Sequence, residues 1–303
     1  MFDPVYVRQA ELVLQCLSEI GRYPCFALKG GTAINLFLRS MPRLSVDIDL
    51  TYVRRNSRST ALDEIDEALR GVAQAVQGHL ARSVVEPGEV RGQVVRLFVS
   101  RDGARIKIEP NLVLRGTVFP VVEKSLCREA QEQFERFVKL PCLAVPDLFG
   151  GKLCAALDRQ HPRDLYDIAL LLEEKLLTPD VRRAFVVYLA SHPRPMNELL
   201  SPRMKDIRED FERGFAGMER VPVALERLQD VQSRLPDLLK HALDDSERRF
   251  LISMKEGEPD WDALDIPHLR ELPALKWKRM NIRKMAPRKH EDALRRLKQA
   301  LET

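Results

Sequence analysis

The chain has 303 residues, a formal charge of +4 and 45% apolar residues, the profile of a globular protein of one large or two ordinary domains and not of a disordered chain. No apolar run approaches the roughly 20 residues of a membrane helix, and the opening MFDPVYVRQAELVLQC lacks a basic n-region and a small-residue cleavage site. A cytoplasmic protein with no membrane association is expected. The five cysteines, Cys16, Cys25, Cys127, Cys142 and Cys154, form no CxxC pair. Buried reduced thiols are therefore expected in place of a disulfide framework or a zinc site.

In chain order, Val5 to Ile20 has the apolar spacing of an amphipathic helix. CFALKG reads as a buried strand ended by glycine, and TAINLFLRS as a helix headed by Thr32. SVDIDLTYV alternates as a strand does, with Asp47 and Asp49 on one face. A helix is expected over Ser59 to Val76, then two strands, GQVVRLFVS and RIKIEPNLV, joined by a turn at Asp102-Gly103. Beyond Pro146 the strand patterns stop. Helical periodicity runs from Asp147 to Leu189 and from Leu199 to Leu251, with prolines between Pro193 and Pro202. No internal repeat is present. The expected fold class is α+β: a mixed sheet with helices over residues 1–140, then a helical domain over 141–303. That second part ends in a basic stretch, Arg270 to Thr303, with eleven Lys or Arg against four Asp or Glu, which suits a polyanionic partner.

Two carboxylates two apart on a strand repel one another unless a cation lies between them. Magnesium takes hard oxygen ligands, and Glu109 in RIKIEPN is the candidate third acid, sharing a face with Lys107 and Arg105. Upstream, Gly30 and Gly31 belong neither to a Walker loop nor to a GxGxxG fingerprint. Glycines still let backbone N–H groups approach a phosphate, and Thr32 offers a hydroxyl donor, with Ser45 beside the same candidate site.

The block FGGKLCAALDRQHPRDLYDIALLL reads as two helices broken at Pro162. Arg163, Asp164 and Asp167 are expected on its polar side, with Leu165, Ile168 and Leu172 towards the core. One reading is a salt-bridged helix hairpin. The other has Lys152 and Arg163 contacting a triphosphate, with Asp164 and Asp167 orienting those cations or assisting the acceptor. The six histidines show no metal-ligand spacing. Trp277 stands among Lys276, Lys278 and Arg279, a pairing that suits a single-stranded nucleic acid end.

LKGGTAINLFL followed by RLSVDIDL resembles the opening motif of the nucleotidyltransferase superfamily. The Lys152 to Asp167 block, with FERGFAGM and LPALKWKRMNIRKM, resembles the AbiEii-type toxins within it, and the likeness spans residues 20 to 285. The resemblance implies transfer of NMP from an NTP to the 3′ end of tRNA, blocking aminoacylation, and a cognate antitoxin encoded nearby. Two Mg2+ ions would be held by Asp47, Asp49 and Glu109, and Gly30, Gly31 and Thr32 would cradle the phosphates. Lys152 and Arg163 would close a cleft from the helical side, and the lysine and the late aspartate would be needed for activity. Two alternatives stand beside this: transfer to a protein hydroxyl or to a small molecule such as an aminoglycoside, and a catalytically idle nucleotide- or RNA-binding module. Against the idle module stands the mutual repulsion of three acids with no cation to join them.

Overall fold

The computed structural model describes residues 2–302. The chain divides into two units, Met1–Ala144 with Phe215–Val223, and Val145–Gly214 with Ala224–Thr303.

In the first unit, α1 (Pro4–Ile20) opens where the Asp3 side chain accepts from the Val5 N–H, with proline in the first turn. Strand β1 (Phe26–Lys29) runs straight into a helical turn, α2 (Gly30–Thr32), which continues as a π-helical segment, Ala33–Leu38. Then come β2 (Asp47–Tyr52), α3 (Arg58–His79, capped by Ser57), β3 (Val84–Val90), β4 (Gln93–Arg101), β5 (Ala104–Asn111), β6 (Val122–Ser125), α4 (Arg128–Phe134) and β7 (Lys139–Cys142). The strands form one seven-stranded sheet in the order β3-β4-β5-β2-β1-β7-β6. Central β2 is antiparallel to β1 and parallel to β5, and β3, β4 and β5 form an antiparallel meander. The sheet is therefore mixed. The β4–β5 turn falls at Asp102-Gly103, both in left-handed backbone (φ 48° and 80°), as a tight hairpin requires.

Alternation decides which face is core. Ile48 and Leu50 on β2 and Ile106 and Ile108 on β5 are buried, while Asp47, Asp49, Lys107 and Glu109 stand half-exposed on the opposite face. All five cysteines are free thiols; four are buried and Cys127 is partly exposed.

Three strands are absent from the local pattern. β3 carries Pro87 and Gly88 and is largely exposed at the sheet edge; β6 is a polar, four-residue edge strand; β7 contains Pro141 and is equally short. The expected Leu199–Leu251 helical run is also broken. Residues Phe215–Val223 belong with the first unit, where Leu44 N–H bonds Met218 O (2.8 Å), Arg220 N–H bonds Pro42 O (2.8 Å), and Arg43 bridges Glu219. Such pairing across more than 170 residues has no local signature.

The second unit is helical: α5 (Val145–Asp158), α6 (Pro162–Glu173), α7 (Pro179–Ser191), α8 (Met196–Leu200), α9 (Arg208–Gly214), α10 (Leu225–Ala242), α11 (Asp245–Glu256), α12 (Pro273–Arg283) and α13 (Pro287–Glu302). No helix among the described residues is long and apolar enough to cross a membrane. Helices α5 and α7 meet backbone to backbone at Gly150, where a Cβ would lie 2.7 Å from Phe185 N and 2.8 Å from the Ala184 carbonyl carbon. Gly150→Ala is expected to destabilise this unit by about 1–3 kcal/mol, read as a lowered urea midpoint. An unchanged midpoint would show that the two helices separate without strain.

Candidate active site

The first cluster is built by strand register. Asp49 on β2 lies opposite Lys29 on β1 and opposite Glu109 on β5, and Asp47 lies opposite Lys107. Register partners share a face, so three acids and two lysines line one side of the sheet. Arg96 on β4 joins them, its guanidinium 3.5 Å from Glu109, whose other oxygen accepts from Lys107 Nζ at 2.8 Å. Burial alone would lower the Lys107 ammonium, but the hydrogen bond to Glu109 and the charges of Glu109, Asp47 and Asp49 outweigh it and leave it raised.

This arrangement corrects the argument from repulsion. The three acids need no metal to coexist, because Lys107 and Arg96 already supply the cations between and beside them. It also explains why, among the described residues, no three His, Cys, Asp or Glu side chains gather as a ready metal site: Glu109 is turned towards its two basic neighbours. The residues nevertheless fit a hard divalent cation by type and register. Asp47 and Asp49 project to one side, and Glu109 is in register beside Asp49.

The glycine pair is packed against these acids. Gly30 has φ +72°, and a Cβ there would lie 2.6 Å from Asp49 Oδ2, so only glycine fits so close to the carboxylate. At Gly31 a Cβ would come within 2.7 Å of the Arg43 guanidinium and 3.0 Å of Ser45 Oγ. Thr32 is buried, and its hydroxyl lies 2.5 Å from Asp47 O and 2.9 Å from Ser45 Oγ. The threonine hydroxyl donates to the Asp47 carbonyl, with Ser45 Oγ as its second acceptor. Both hydroxyls thus tie the glycine turn to β2, and the expected donation from Thr32 to a phosphate gives way to this internal bond.

Arg43 escaped the sequence reading, although a signal was there. The alternation of Asp47 and Asp49 continues upstream through Ser45 to Arg43, with Leu44, Val46, Ile48 and Leu50 buried in between.

The second cluster lies in the α5–α6 hairpin. Lys152 Nζ is 2.7 Å from Asp164 Oδ1 and 3.0 Å from Asp167 Oδ2, and both aspartates are fully buried. Arg159 adds a bidentate pair to Asp164, at 2.5 and 2.9 Å. Asp164 and Asp167 thus face inwards, contrary to the expected polar side, because their charge is matched by Lys152 and Arg159. Leu172 correspondingly lies half-exposed, with Leu171 in the core, and Tyr166 is buried. Burial alone would raise the Asp164 carboxyl, but the charges and hydrogen bonds of Lys152 and Arg159 hold it well below the usual carboxylate range. His161 caps α6 by accepting from Arg163 N–H at 3.1 Å; burial and then the Arg163 charge push its imidazole down to about 4, so the acceptor nitrogen stays unprotonated near neutrality. Arg163 itself is half-exposed.

A mixed sheet with Gly-Gly after one strand and two aspartates on its antiparallel neighbour defines the frame of a nucleotidyltransferase. The profile of the family described as "Nucleotidyl transferase AbiEii toxin, Type IV TA system" matches residues 12–279, and the chain belongs to that family. Among solved structures it is similar to the nucleotidyltransferase toxin MenT4 of Mycobacterium tuberculosis, at 19% identity and a TM-score of 0.59, over 90% of this chain and 92% of that one. At this identity the likeness shows the fold. No curated protein matches at a significant level. Family membership makes the protein a nucleotidyltransferase with an NTP substrate, in a class that uses a divalent metal, and it implies a partner antitoxin.

The hairpin cluster is expected to carry stability. Lys152→Met, which strands buried carboxylates, should lose about 3–5 kcal/mol in chemical denaturation; a loss near zero would show that water reaches the cluster. The sign of the pH dependence follows from the depressed Asp164 carboxyl. Its contribution is complete above the unfolded value, about pH 4, and is lost as pH falls below it. The stability excess of wild type over Asp164→Asn should therefore be flat from neutrality to about pH 4 and shrink below. An excess that shrinks already at pH 6 would contradict this.

Proposed function

We propose that the protein transfers NMP from an NTP to the 3′ end of tRNA and so blocks translation. The observation that carries this is the placement of Asp47 and Asp49 on one face of β2, with Glu109 in register beside Asp49 and Gly30 packed on the Asp49 carboxylate. Asp47, Asp49 and Glu109 would hold Mg2+, as two ions. The metal, when bound, supplies acidification of the acceptor hydroxyl and neutralisation of triphosphate charge.

The protein's own groups do the rest. Gly30 and Gly31 offer backbone N–H groups to the β and γ phosphates, while Thr32 and Ser45 hold that turn on β2 and Arg43 places a cation against Gly31. Lys107 and Arg96 hold Glu109 in position. In the helical unit, Lys152, Asp164 and Asp167 fix the hairpin that carries Arg163. The acceptor oxygen bonds the α-phosphorus and pyrophosphate departs.

An RNA acceptor is favoured by a cavity of about 580 Å3 in the helical unit, lined by Arg270, Lys276, Arg279, Arg283 and Lys284 with Trp261 and Met280. Arg270 pairs with Asp262, and Arg279 and Arg283 share Glu258; the net positive charge that remains with Lys276 and Lys284 suits a phosphodiester chain.

Asp49→Ala, assayed with each labelled NTP, Mg2+ and a tRNA pool, should lose transfer by at least about a hundredfold. Full activity in that variant would overturn the metal-site assignment. Label that persists when RNA is omitted would replace tRNA by a protein hydroxyl or a small molecule as acceptor.

A further inference from the structure

Three lysines of the helical unit are buried: Lys152, Lys240 and Lys255. The first two have acids at salt-bridge distance, Lys152 with Asp164 and Asp167 and Lys240 with Asp237 at 2.8 Å. Lys255 differs. It is 9% exposed, and among the described residues its ammonium has only the Met285 sulfur, at 3.9 Å, as a hydrogen-bond acceptor, a weak one. An ammonium kept from water without an acid is unfavourable.

Lys255 lines a cavity of about 260 Å3 together with Lys278, Trp277 and Asn281 of α12, Lys289 in the first turn of α13, and Asn197 of α8. Among the described residues, no acid lines this cavity. Lys278 donates to the carbonyls of His192 (2.5 Å) and Arg194 (3.3 Å), which leaves its third N–H for an occupant. The three ammoniums also act on one another. Burial and then the Lys255 charge push Lys278 down to about 8, and burial and then the Lys289 charge lower Lys255. An anion in the cavity would relieve both effects.

Trp277 is 45% exposed, so an indole face is open to an occupant beside the lysines. α12 also lines the larger cavity through Lys276, Arg279 and Arg283; the two arginines share Glu258, and with Lys276 a net positive charge continues along the helix beyond the size of a single small anion. A phosphodiester chain fits both features, its phosphate among the lysines and a base on the aromatic ring.

We infer that the cavity formed by Lys255, Lys278, Lys289 and Trp277 is a second, non-catalytic site that binds a nucleotide unit of single-stranded RNA. It goes beyond the transfer reaction and is measured without it, so failure of the catalytic assignment leaves the result interpretable. The experiment uses the full chain in EDTA with Trp261→Phe, which leaves Trp277 as the one indole reporter of the two tryptophans. A single-stranded RNA of about six nucleotides should quench Trp277. Lys255→Gln/Lys289→Gln in the same background should weaken binding about tenfold at ~0.15 M salt without lowering the thermal midpoint, since like charges are removed. Equal RNA affinity in parent and double variant would overturn the proposal. So would a lowered midpoint with unchanged binding, which would make the lysines structural. Lysine-dependent quenching by ATP but not by RNA would reassign the cavity to a free nucleotide, and displacement of RNA by polyglutamate at equal charge would reduce it to a general polyanion surface.

Discussion

The parallel pairing of β2 with β5 is the constraint on which the first unit depends. Because side chains alternate with a period of two, this register puts Asp49 beside Glu109 and Asp47 beside Lys107, all on one face, while Ile48 and Ile108 enter the core. A slip of one residue would bury the acids and expose the isoleucines. The core therefore enforces the site. Antiparallel β1 then brings Lys29 opposite Asp49, and the chain leaves β1 directly into the glycine turn, so that turn and acids are neighbours by connectivity as well as by pairing.

Charge compensation follows one rule in both clusters. On the sheet, half-exposed acids are held by Lys107 and Arg96; in the hairpin, fully buried aspartates are held by Lys152 and Arg159. The deeper pair is the more completely satisfied, as the greater desolvation demands. On the sheet face, by contrast, Asp47 and Asp49 are half-exposed, and the Asp49 carboxylate lies beside Gly30. That difference separates the fully buried ion pairs of the hairpin from the half-exposed acidic face of the sheet. The lysine pocket of α11, α12 and α13 departs from the same rule, with cations gathered and, among the described residues, no acid to answer them.

Much of this was legible locally. The helix α1, the strands β1, β2, β4 and β5, the hairpin turn at Asp102-Gly103 and the acidic face all follow from apolar periodicity and turn chemistry. The short or proline-bearing strands β3, β6 and β7 did not, since they are recognised only by the partners they pair with. Arg43 was missed because its spacing extends the β2 alternation into a stretch that has no ladder of its own. The inward turn of Asp164 and Asp167 was missed because helical periodicity assigns charged residues to water, whereas a lysine and an arginine from α5 make burial tolerable.

By itself, then, the sequence determined the class of chemistry: Gly-Gly ahead of Asp-x-Asp on an alternating strand, a third acid on a later strand, and the Lys152 to Asp167 block of the AbiEii family. Tertiary structure alone decided which acids are neighbours, which cations hold them, and which hydroxyls and lysines are already committed. It also returned Phe215–Val223 to the first unit, beside Arg43 and Leu44. The reason is physical. Periodicity records which side of an element faces the core, but the pairing of one polar group with another is settled by register and packing between residues that are distant in the chain.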